Sequence, residues 1–245
     1  MRRSVAACGV VLFAAVLVVA ARQLGSVPQP AATATPAPTF ATADPADTSR
    51  VVPSAAYGRI ALDDRVDRTR WNVRGLAIPI EGAMVPTDPE LLPGAPRAFR
   101  GGWHEGVDFP ADAGTEVHAV AGGTIVRIDH DFVDWSVDEK DQALAQAVEL
   151  GYTPSATLDR IRGRQVWIDH GGGVVSRYAH LSAVADLPVG AIVERGRVVG
   201  LVGSSGFPEG GPHLHLEIRT GTSYLGDGLS GDALLTAIVK AFAVP

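Results

Sequence analysis

Two short stretches hold the residues best suited to chemistry. In WHEGVDFP, His104 and Asp108 are four positions apart, and in GPHLHLEI, His213 and His215 are separated by one residue. Glycine and proline in the first stretch argue against a helix, and the alternation in the second predicts a strand. Because positions i, i+2 and i+4 of an extended chain project from one face, each pair is expected to point to one side. Taken singly, each pair fits a surface strand or turn as well as a metal site.

Together, the two stretches offer a donor set for a metal ion. The only cysteine is Cys8, so the rest of the chain contains no disulfide or thiolate site, and any metal there is held by His, Asp or Glu. His104, Asp108 and one imidazole of the H-x-H pair make two histidines and one carboxylate. This set is typical of catalytic zinc with a fourth position left open, whereas structural zinc is more often closed by four protein ligands.

Peptide hydrolysis at such a site also needs groups that accept and donate protons. His180, in SRYAHLS, follows the predicted strand Val174 to Tyr178. It and the spare H-x-H histidine are candidates for these transfers. Glutamate is the base in other zinc peptidases, but Glu105 and Glu217 are expected to face away from the ligands in extended segments.

Short apolar runs separated by glycine turns indicate an all-β fold around these residues. TEVHAVAGGTIVRIDH and GRQVWIDHGGGVVSRYAHL each contain two runs, and AIVERGRVVGLVGSSG and PHLHLEIRTG continue the pattern. GLAIPIEGAMVP is expected to form a first strand with turns. Most connections are too short for the helices of a parallel βαβ sheet, so we predict an antiparallel β sandwich or barrel.

One segment, from about residue 134 to residue 162, departs from the β pattern. Ser136 and Glu139 form the signature of a capping box, and Leu144 and Val148 fall on one face of the helix that follows. A helical hairpin inserted between two strands is therefore expected.

The ends of the predicted helices are marked by glycine, threonine and proline. Gly151 can end the first helix, and Thr153 can cap a second helix that has Pro154 at its first position. We hypothesise that this hairpin forms one wall of a groove and restricts which peptide enters; a decorative insertion far from the site is the alternative. SGDALLTAIVKAFA, near the end of the chain, predicts a final amphipathic helix.

The chain divides by composition into three parts. Residues 1–25, with Arg2 and Arg3 before a long apolar run, are typical of a signal peptide or an uncleaved signal-anchor. Residues 26–50, rich in Pro, Ala and Thr, predict a semi-extended linker. Residues 51–245 are expected to hold the globular domain, with its core at 73–225.

The net charge and the N-terminal pattern indicate what this domain binds and where it is located. A net charge of −6 argues against binding to nucleic acid. The basic start predicts an extracytoplasmic location for the rest of the chain, either secreted or anchored to the cytoplasmic membrane and facing the cell wall. The sequence does not decide between release and anchoring, and it says nothing of oligomeric state.

The motifs HEGVD, YAHLS and GPHLHLEI, in that order and with GSSG before the last, resemble those of LytM/lysostaphin-type zinc metallopeptidases that cut peptidoglycan peptides. The resemblance covers roughly residues 99–220. It implies an antiparallel β sandwich, of the barrel-sandwich hybrid kind, with the site in an open groove. The inserted hairpin is longer than the connection that the family usually has there.

The resemblance also implies a role for each of five residues. His104, Asp108 and His215 would bind Zn²⁺, while His180 and His213 would act in proton transfer and in stabilising the tetrahedral oxyanion. The implied function is an exported zinc-dependent endopeptidase that cleaves cross-links or stem peptides of peptidoglycan. A regulator that binds and activates another hydrolase without catalysis is the alternative, although such relatives typically lack site residues. A zinc-stabilised binding domain is a third, weaker interpretation.

The other histidines match no catalytic position in this pattern. His170 is interpreted as structural, and His118 and His130 as ordinary strand or turn residues. Tyr178 and Gln165 are expected either to line the groove or to belong to the core.

Overall fold

A computed structural model describes residues 73–243 of the chain. The predicted signal segment and the linker lie outside these residues, as does the start of the predicted domain. Within the described part, no helix is both long enough and apolar enough to cross a membrane.

Twelve short strands and three α-helices make up the described part. The strands are β1 Pro96–Arg97, β2 Gly102–Trp103, β3 Val107–Pro110, β4 Glu116–His118, β5 Gly123–Ile128, β6 Val166–Asp169, β7 Val174–Ala179, β8 Ala183–Val184, β9 Ile192–Val193, β10 Val198–Leu201, β11 His213–Thr220 and β12 Ser223–Tyr224. The helices are α1 Val137–Leu150, α2 Ser155–Arg162 and α3 Gly231–Phe242. Single 3-10 turns lie at Pro89–Leu91, Ala98–Arg100 and Pro208–Gly210.

The strands form one large sheet and two small ones, and the pairings between them are antiparallel. The large sheet runs β12-β11-β7-β6-β5-β9, with β3 also paired to β11. A three-stranded sheet has the order β4-β10-β8, and β1 pairs with β2. Side chains from the large and the three-stranded sheets share one hydrophobic core, so the predicted antiparallel β sandwich is confirmed.

Strand β11 shows how this core also creates a polar face. Leu214, Leu216 and Ile218 alternate along it and are buried in the core. Because alternate residues of a strand project to opposite sides, His213 and His215 lie together on the other side. The hydrophobic set therefore fixes which face of the strand carries the chemistry.

The inserted helical hairpin occupies the connection between β5 and β6, as predicted. Ser136 and Glu139 form the capping box, and Gly151 ends α1 in the left-handed conformation, with φ of 73°, where glycine is favoured. The predicted buried face of α1 is wrong in detail. Lys140 and Ala147 are buried whereas Val148 is exposed, because α1 packs beside the 3-10 turn at Ala98–Arg100.

The predicted start of α2 is one residue early. The helix begins at Ser155, and Pro154 occupies the cap position without a side-chain cap. Thr153 does not cap the helix because its hydroxyl donates to the carbonyl of Arg100, 2.7 Å away. This contact ties the hairpin to the segment just before β2.

The segment GLAIPIEGAMVP is not the predicted first strand. Its backbone bonds to two separate neighbours: Leu76 N donates to the Ala241 carbonyl and Ala77 N donates to the Val120 carbonyl, at 2.9 and 2.7 Å. Pro79 has no N–H with which to extend a ladder. The apolar residues are buried nonetheless, as with Leu76, so the hydrophobic pattern correctly indicated burial but not the element.

Tyr178 belongs to the core rather than to the groove, and its hydrogen bond to the backbone can be tested by substitution. Its hydroxyl is fully buried and accepts a hydrogen bond from Val120 N at 2.8 Å. Tyr178→Phe leaves that buried amide without a partner, so we expect a loss of about 1–3 kcal/mol in the free energy of unfolding. Urea titration measures it. Tyr152→Phe is the matched control, since Tyr152 is exposed; equal stabilities of the two variants would contradict the expectation.

Candidate metal centre

The pairing of β3 with β11 brings the two predicted motifs together. Asp108 lies directly opposite His215 in the antiparallel register. Directly opposed residues share a face and have Cβ atoms about 5 Å apart. Two residues that are more than a hundred positions apart in sequence therefore become immediate neighbours, with Asp108 Oδ1 at 2.9 Å from His215 Nδ1.

His104 reaches the same point from the turn before β3. Its backbone is fixed on both sides, since His104 N donates to the Ala95 carbonyl and its own carbonyl accepts from Gly94 N, both at 2.8 Å. Gly106 allows the chain to pass close to β11. A Cβ at this position would lie 2.6 Å from the Leu216 carbonyl oxygen and 2.8 Å from Cε1 of His215, so glycine is required for this approach.

Three ligand atoms converge at this point. His104 Nε2 lies 3.0 Å from Asp108 Oδ1 and 3.0 Å from His215 Nδ1. The three side chains are buried. Among the described residues they form the one group of three His, Cys, Asp or Glu side chains that is arranged to hold a metal ion.

The hydrogen bonds behind the ligands define which ring nitrogens face the centre. His104 Nδ1 lies 2.9 Å from the Leu92 carbonyl, and His215 Nε2 lies 3.1 Å from a carboxylate oxygen of Glu217. Since both partners only accept, these nitrogens carry protons, and when the rings are neutral the lone pairs of His104 Nε2 and His215 Nδ1 point at Asp108. Three acceptors converging in this way repel one another unless a cation or a proton lies between them, so the residues fit a metal ion.

The pKa directions agree with this arrangement. Burial lowers the pKa of His104. Burial also opposes a charge on His215, but its hydrogen bonds to Asp108 and Glu217 outweigh burial and raise its pKa to about 9. Contacts with His104 and His215 likewise outweigh burial and hold the pKa of Asp108 well below its usual value. A metal ion binding here displaces a proton from this group of three.

The two remaining predicted residues lie beside the ligands. The His180 and His213 rings are 4.7 Å apart, and the His180 ring is 5.7 Å from that of His215. His213 Nε2 lies 3.7 Å from Asp108 Oδ1. The structure therefore brings all five predicted residues together, although their roles stay predictions.

His180 is held in a backbone conformation that few residues adopt. Its φ of 60° is the one positive value among the non-glycine residues that the structure describes, and such strain is often found at functional positions. His180 N donates to the Arg162 carbonyl at 2.8 Å, and Nδ1 donates to the Ser205 carbonyl at 2.9 Å. Burial and then the neighbouring His213 and His215 lower its pKa to about 3, so the ring is neutral.

The five residues line an open cleft of about 270 Å³. Leu158 and Ile161 of α2 form part of its lining, and Phe99 and Phe207, stacked with ring centres 4.8 Å apart, form another part. The inserted hairpin is thus a wall of the cleft and is not remote from it. Whether it selects the peptide that enters stays a prediction.

The other histidines have structural partners. His118 Nδ1 bonds to the Gly196 carbonyl and His130 Nε2 to the Leu187 carbonyl. His170 lies between the Gly122 carbonyl and the Ser176 hydroxyl, each 2.8 Å away. Gln165 is fully buried and contacts Asp159 rather than the cleft.

The sequence-based placement of the two glutamates is wrong. Glu217 lies on the same face of β11 as His215 and bonds to it. Its spacing of two residues from His215 along a strand could have predicted this placement. Glu105 also lines the cleft, and the chain bends at Gly106 between Glu105 and β3. Sequence reasoning also missed Arg162 of α2, which contacts both carboxylates and which no local pattern connects to the ligands.

Comparison with known proteins agrees with the motifs. The family model for Peptidase family M23 matches residues 102–226. The DD-carboxypeptidase/endopeptidase Mpg of Neisseria meningitidis is 34% identical over 116 residues, which are 47% of this chain and 20% of that protein. An uncharacterized protein of Mycobacterium tuberculosis is 31% identical over 159 residues, 62% of this chain and 30% of that protein.

Among solved structures, the catalytic domain of the antimicrobial peptidase lysostaphin from Staphylococcus simulans is 26% identical, with a TM-score of 0.37. The match covers 54% of this chain and 82% of that domain. The chain spans less than a third of the length of the curated Neisseria and Mycobacterium relatives.

The family match extends over the ligands, most of the cleft lining and most of the β fold. The chain belongs to peptidase family M23. The predicted resemblance to LytM/lysostaphin-type peptidases is thereby confirmed, and the cluster of His104, Asp108 and His215 is a site able to hold a metal ion.

Removing the negative ligand tests this centre. Asp108→Asn keeps the side-chain shape but loses the charge between the two imidazoles. Loss of a residue that only supports a ligand costs about 10–100-fold in metal affinity, so we expect the loss of this ligand charge to cost at least as much. Competition with a chelator of known affinity measures the dissociation constant. Asp112→Asn, at an exposed position nearby, should bind zinc like the parent protein. Equal zinc affinities of the Asp108→Asn variant and the parent protein would refute the assignment.

Proposed function

We propose that this protein is an exported zinc metalloendopeptidase that cleaves peptide bonds in bacterial peptidoglycan. The observation that carries the proposal is the convergence of His104, Asp108 and His215 with a second pair of histidines in one open cleft. Family membership supports peptidase chemistry. The basic and apolar start of the sequence supports export.

The metal proposed is zinc, held by the three ligands. Two imidazoles and a carboxylate are a donor set typical of catalytic zinc. When bound, zinc supplies Lewis acidity that polarises a peptide carbonyl and makes water acidic enough to act as a nucleophile near neutral pH. The residues around the ligands supply the remaining steps.

His180 and His213 are suited to moving protons. Each donates Nδ1–H to a backbone carbonyl, of Ser205 and Gly211 respectively, at 2.9 Å. Because a neutral imidazole carries one N–H, Nε2 of each ring is left to accept a proton from water and return it to the leaving amine. A protonated Nε2 in this position also stabilises the negative charge that develops on the substrate oxygen.

The cleft is suited to an extended peptide. It is open, and its lining includes the apolar side chains of Leu158, Ile161 and Phe207. Peptidoglycan peptides are our proposed substrate because the similar Neisseria protein is described as a DD-carboxypeptidase/endopeptidase. A regulator without catalysis would not need both the ligand set and the histidine pair, and for this reason we favour the enzyme.

Incubation with defined muropeptides tests the function directly. The purified protein should release shorter peptides, detected by mass spectrometry, and a chelator should stop the reaction until zinc is added back. Absence of new products from every cross-link type, with zinc bound, would favour the regulator.

Substitution of one proton-transfer histidine separates catalysis from metal binding. His213→Ala removes Nε2 from beside the ligands without removing a ligand, so we expect cleavage to fall by about 100-fold or more while zinc affinity stays unchanged. Turnover and chelator competition are measured on the same preparation. His118→Ala, which removes a histidine on the β4 strand, should retain full activity. Normal hydrolysis by the His213→Ala variant would rule out this role.

The apolar wall formed by α2 should affect substrate preference. Leu158→Ala enlarges the cleft by several methylene-sized groups, so we expect the ratio of kcat/KM between glycine-bridged and directly cross-linked muropeptides to change by about 10-fold or more. Leu150→Ala, at the exposed end of α1, is the control and should leave the ratio as it is. An identical ratio in all three proteins would show that the hairpin does not select the peptide.

A further inference from the structure

The inserted hairpin ends at a buried arginine that contacts both segments carrying the metal ligands. Arg162, the last residue of α2, is 6% exposed. Its Nε donates to Glu217 Oε1 at 2.6 Å, and its Nη2 donates to Glu105 Oε2 at 2.5 Å. Glu105 adjoins His104, and Glu217 lies two residues after His215. The guanidinium thus links the turn before β3 to strand β11.

The same oxygen of Glu217 serves both Arg162 and a ligand. Oε1 accepts from Arg162 Nε and lies 3.1 Å from His215 Nε2. The other oxygen, Oε2, faces Arg219 and Arg177 at 3.4 and 3.6 Å. Arg162 is therefore the cation that fixes the oxygen on which the His215 ring is oriented, and the other two arginines hold the far side of the carboxylate.

Burial makes this contact consequential. Glu217 is 1% exposed, and a carboxylate removed from water stays charged only where cations and donors surround it. The guanidinium groups of Arg162, Arg177 and Arg219 are those cations. The carboxylate of Glu217 accepts the Nε2–H of His215 at 3.1 Å, so Nδ1 is the ring nitrogen that faces His104 and Asp108.

We propose that Arg162 is a positioning residue of the metal centre: its guanidinium joins Glu105 to Glu217, and through Glu217 it fixes the ring of the ligand His215. The inference rests on the proposed zinc centre and adds a residue from the insertion to it. The backbone of the same residue serves His180, whose N–H donates to the Arg162 carbonyl. The end of the hairpin thus supports the metal centre and the proton-transfer pair together, besides forming a wall of the cleft.

Zinc affinity tests the proposal without reference to activity. Arg162→Met keeps most of the side-chain length and removes both ion pairs, so we expect the zinc dissociation constant to rise about 10–100-fold, as for other supporting partners of metal ligands. Glu217→Gln should weaken zinc binding to a similar degree. The zinc dissociation constant of the double variant should lie within about twofold of that of the weaker-binding single variant, because the two changes interrupt one path.

The controls separate positioning from packing. Arg160→Met removes an arginine of the same helix, one that stacks on Trp135, and should leave zinc affinity unchanged. Urea unfolding of each zinc-free protein gives its stability, and the visible spectrum of the cobalt-loaded protein reports ligand geometry. Arg162→Lys keeps the charge but replaces the two separate donors, Nε and Nη2, with a single ammonium nitrogen, so it should weaken zinc binding even if Arg162→Met fails to fold.

The outcomes are distinct. Unchanged zinc affinity and an unchanged cobalt spectrum in Arg162→Lys and Glu217→Gln overturn the proposal, whatever their stability, since Arg162 would then only pack. A parent protein that binds no zinc contradicts the proposed function itself. A parent protein that binds zinc but cleaves nothing contradicts the endopeptidase and leaves the positioning role supported by the affinities.

Discussion

The register between β3 and β11 is the constraint on which the rest of the centre depends. It places Asp108 opposite His215, and the burial of Leu214 and Leu216 fixes the face on which both side chains lie. A slip of one residue would turn the ligands into the core and the leucines into the cleft. The hydrophobic effect that folds the sandwich therefore also sets the position of the ligands.

The other side chains around Asp108 and His215 are held in place by hydrogen bonds to the backbone or by buried charged groups. Gly106 lets the chain approach β11 closely enough for His104 to complete the set. The carbonyls of Leu92, Ser205 and Gly211 each fix the tautomer of one histidine. The geometry is thus established by groups that do not themselves react, which lowers the reorganisation needed when a ligand binds.

The inserted hairpin contributes side chains to the cleft of the β fold. A helical hairpin between β5 and β6 could have projected into solvent, but Leu158 and Ile161 line the cleft and Arg162 reaches the glutamates beside the ligands. One element therefore both lines the cleft and contacts the carboxylates next to the candidate ligands. The two ends of α1 were readable from Ser136, Glu139 and Gly151, because caps act locally, whereas the start of α2 was predicted one residue early.

The sequence by itself determined the residue types, their order and the strand pattern, and these were enough to predict an all-β sandwich or barrel, the hairpin and five candidate site residues. The resemblance of three motifs to a known family was needed to choose the sandwich and to assign His215 as the ligand. Period-two alternation and cap signals are local, so they survive without a structure. Tertiary structure decided the rest. Glu217, Glu105 and Arg162 meet only because three segments distant in sequence pack together. The segment at Leu76 is not a strand because its hydrogen-bond partners, Ala241 and Val120, lie in separate parts of the chain. Long-range pairing and buried charge depend on neighbours that no local pattern specifies.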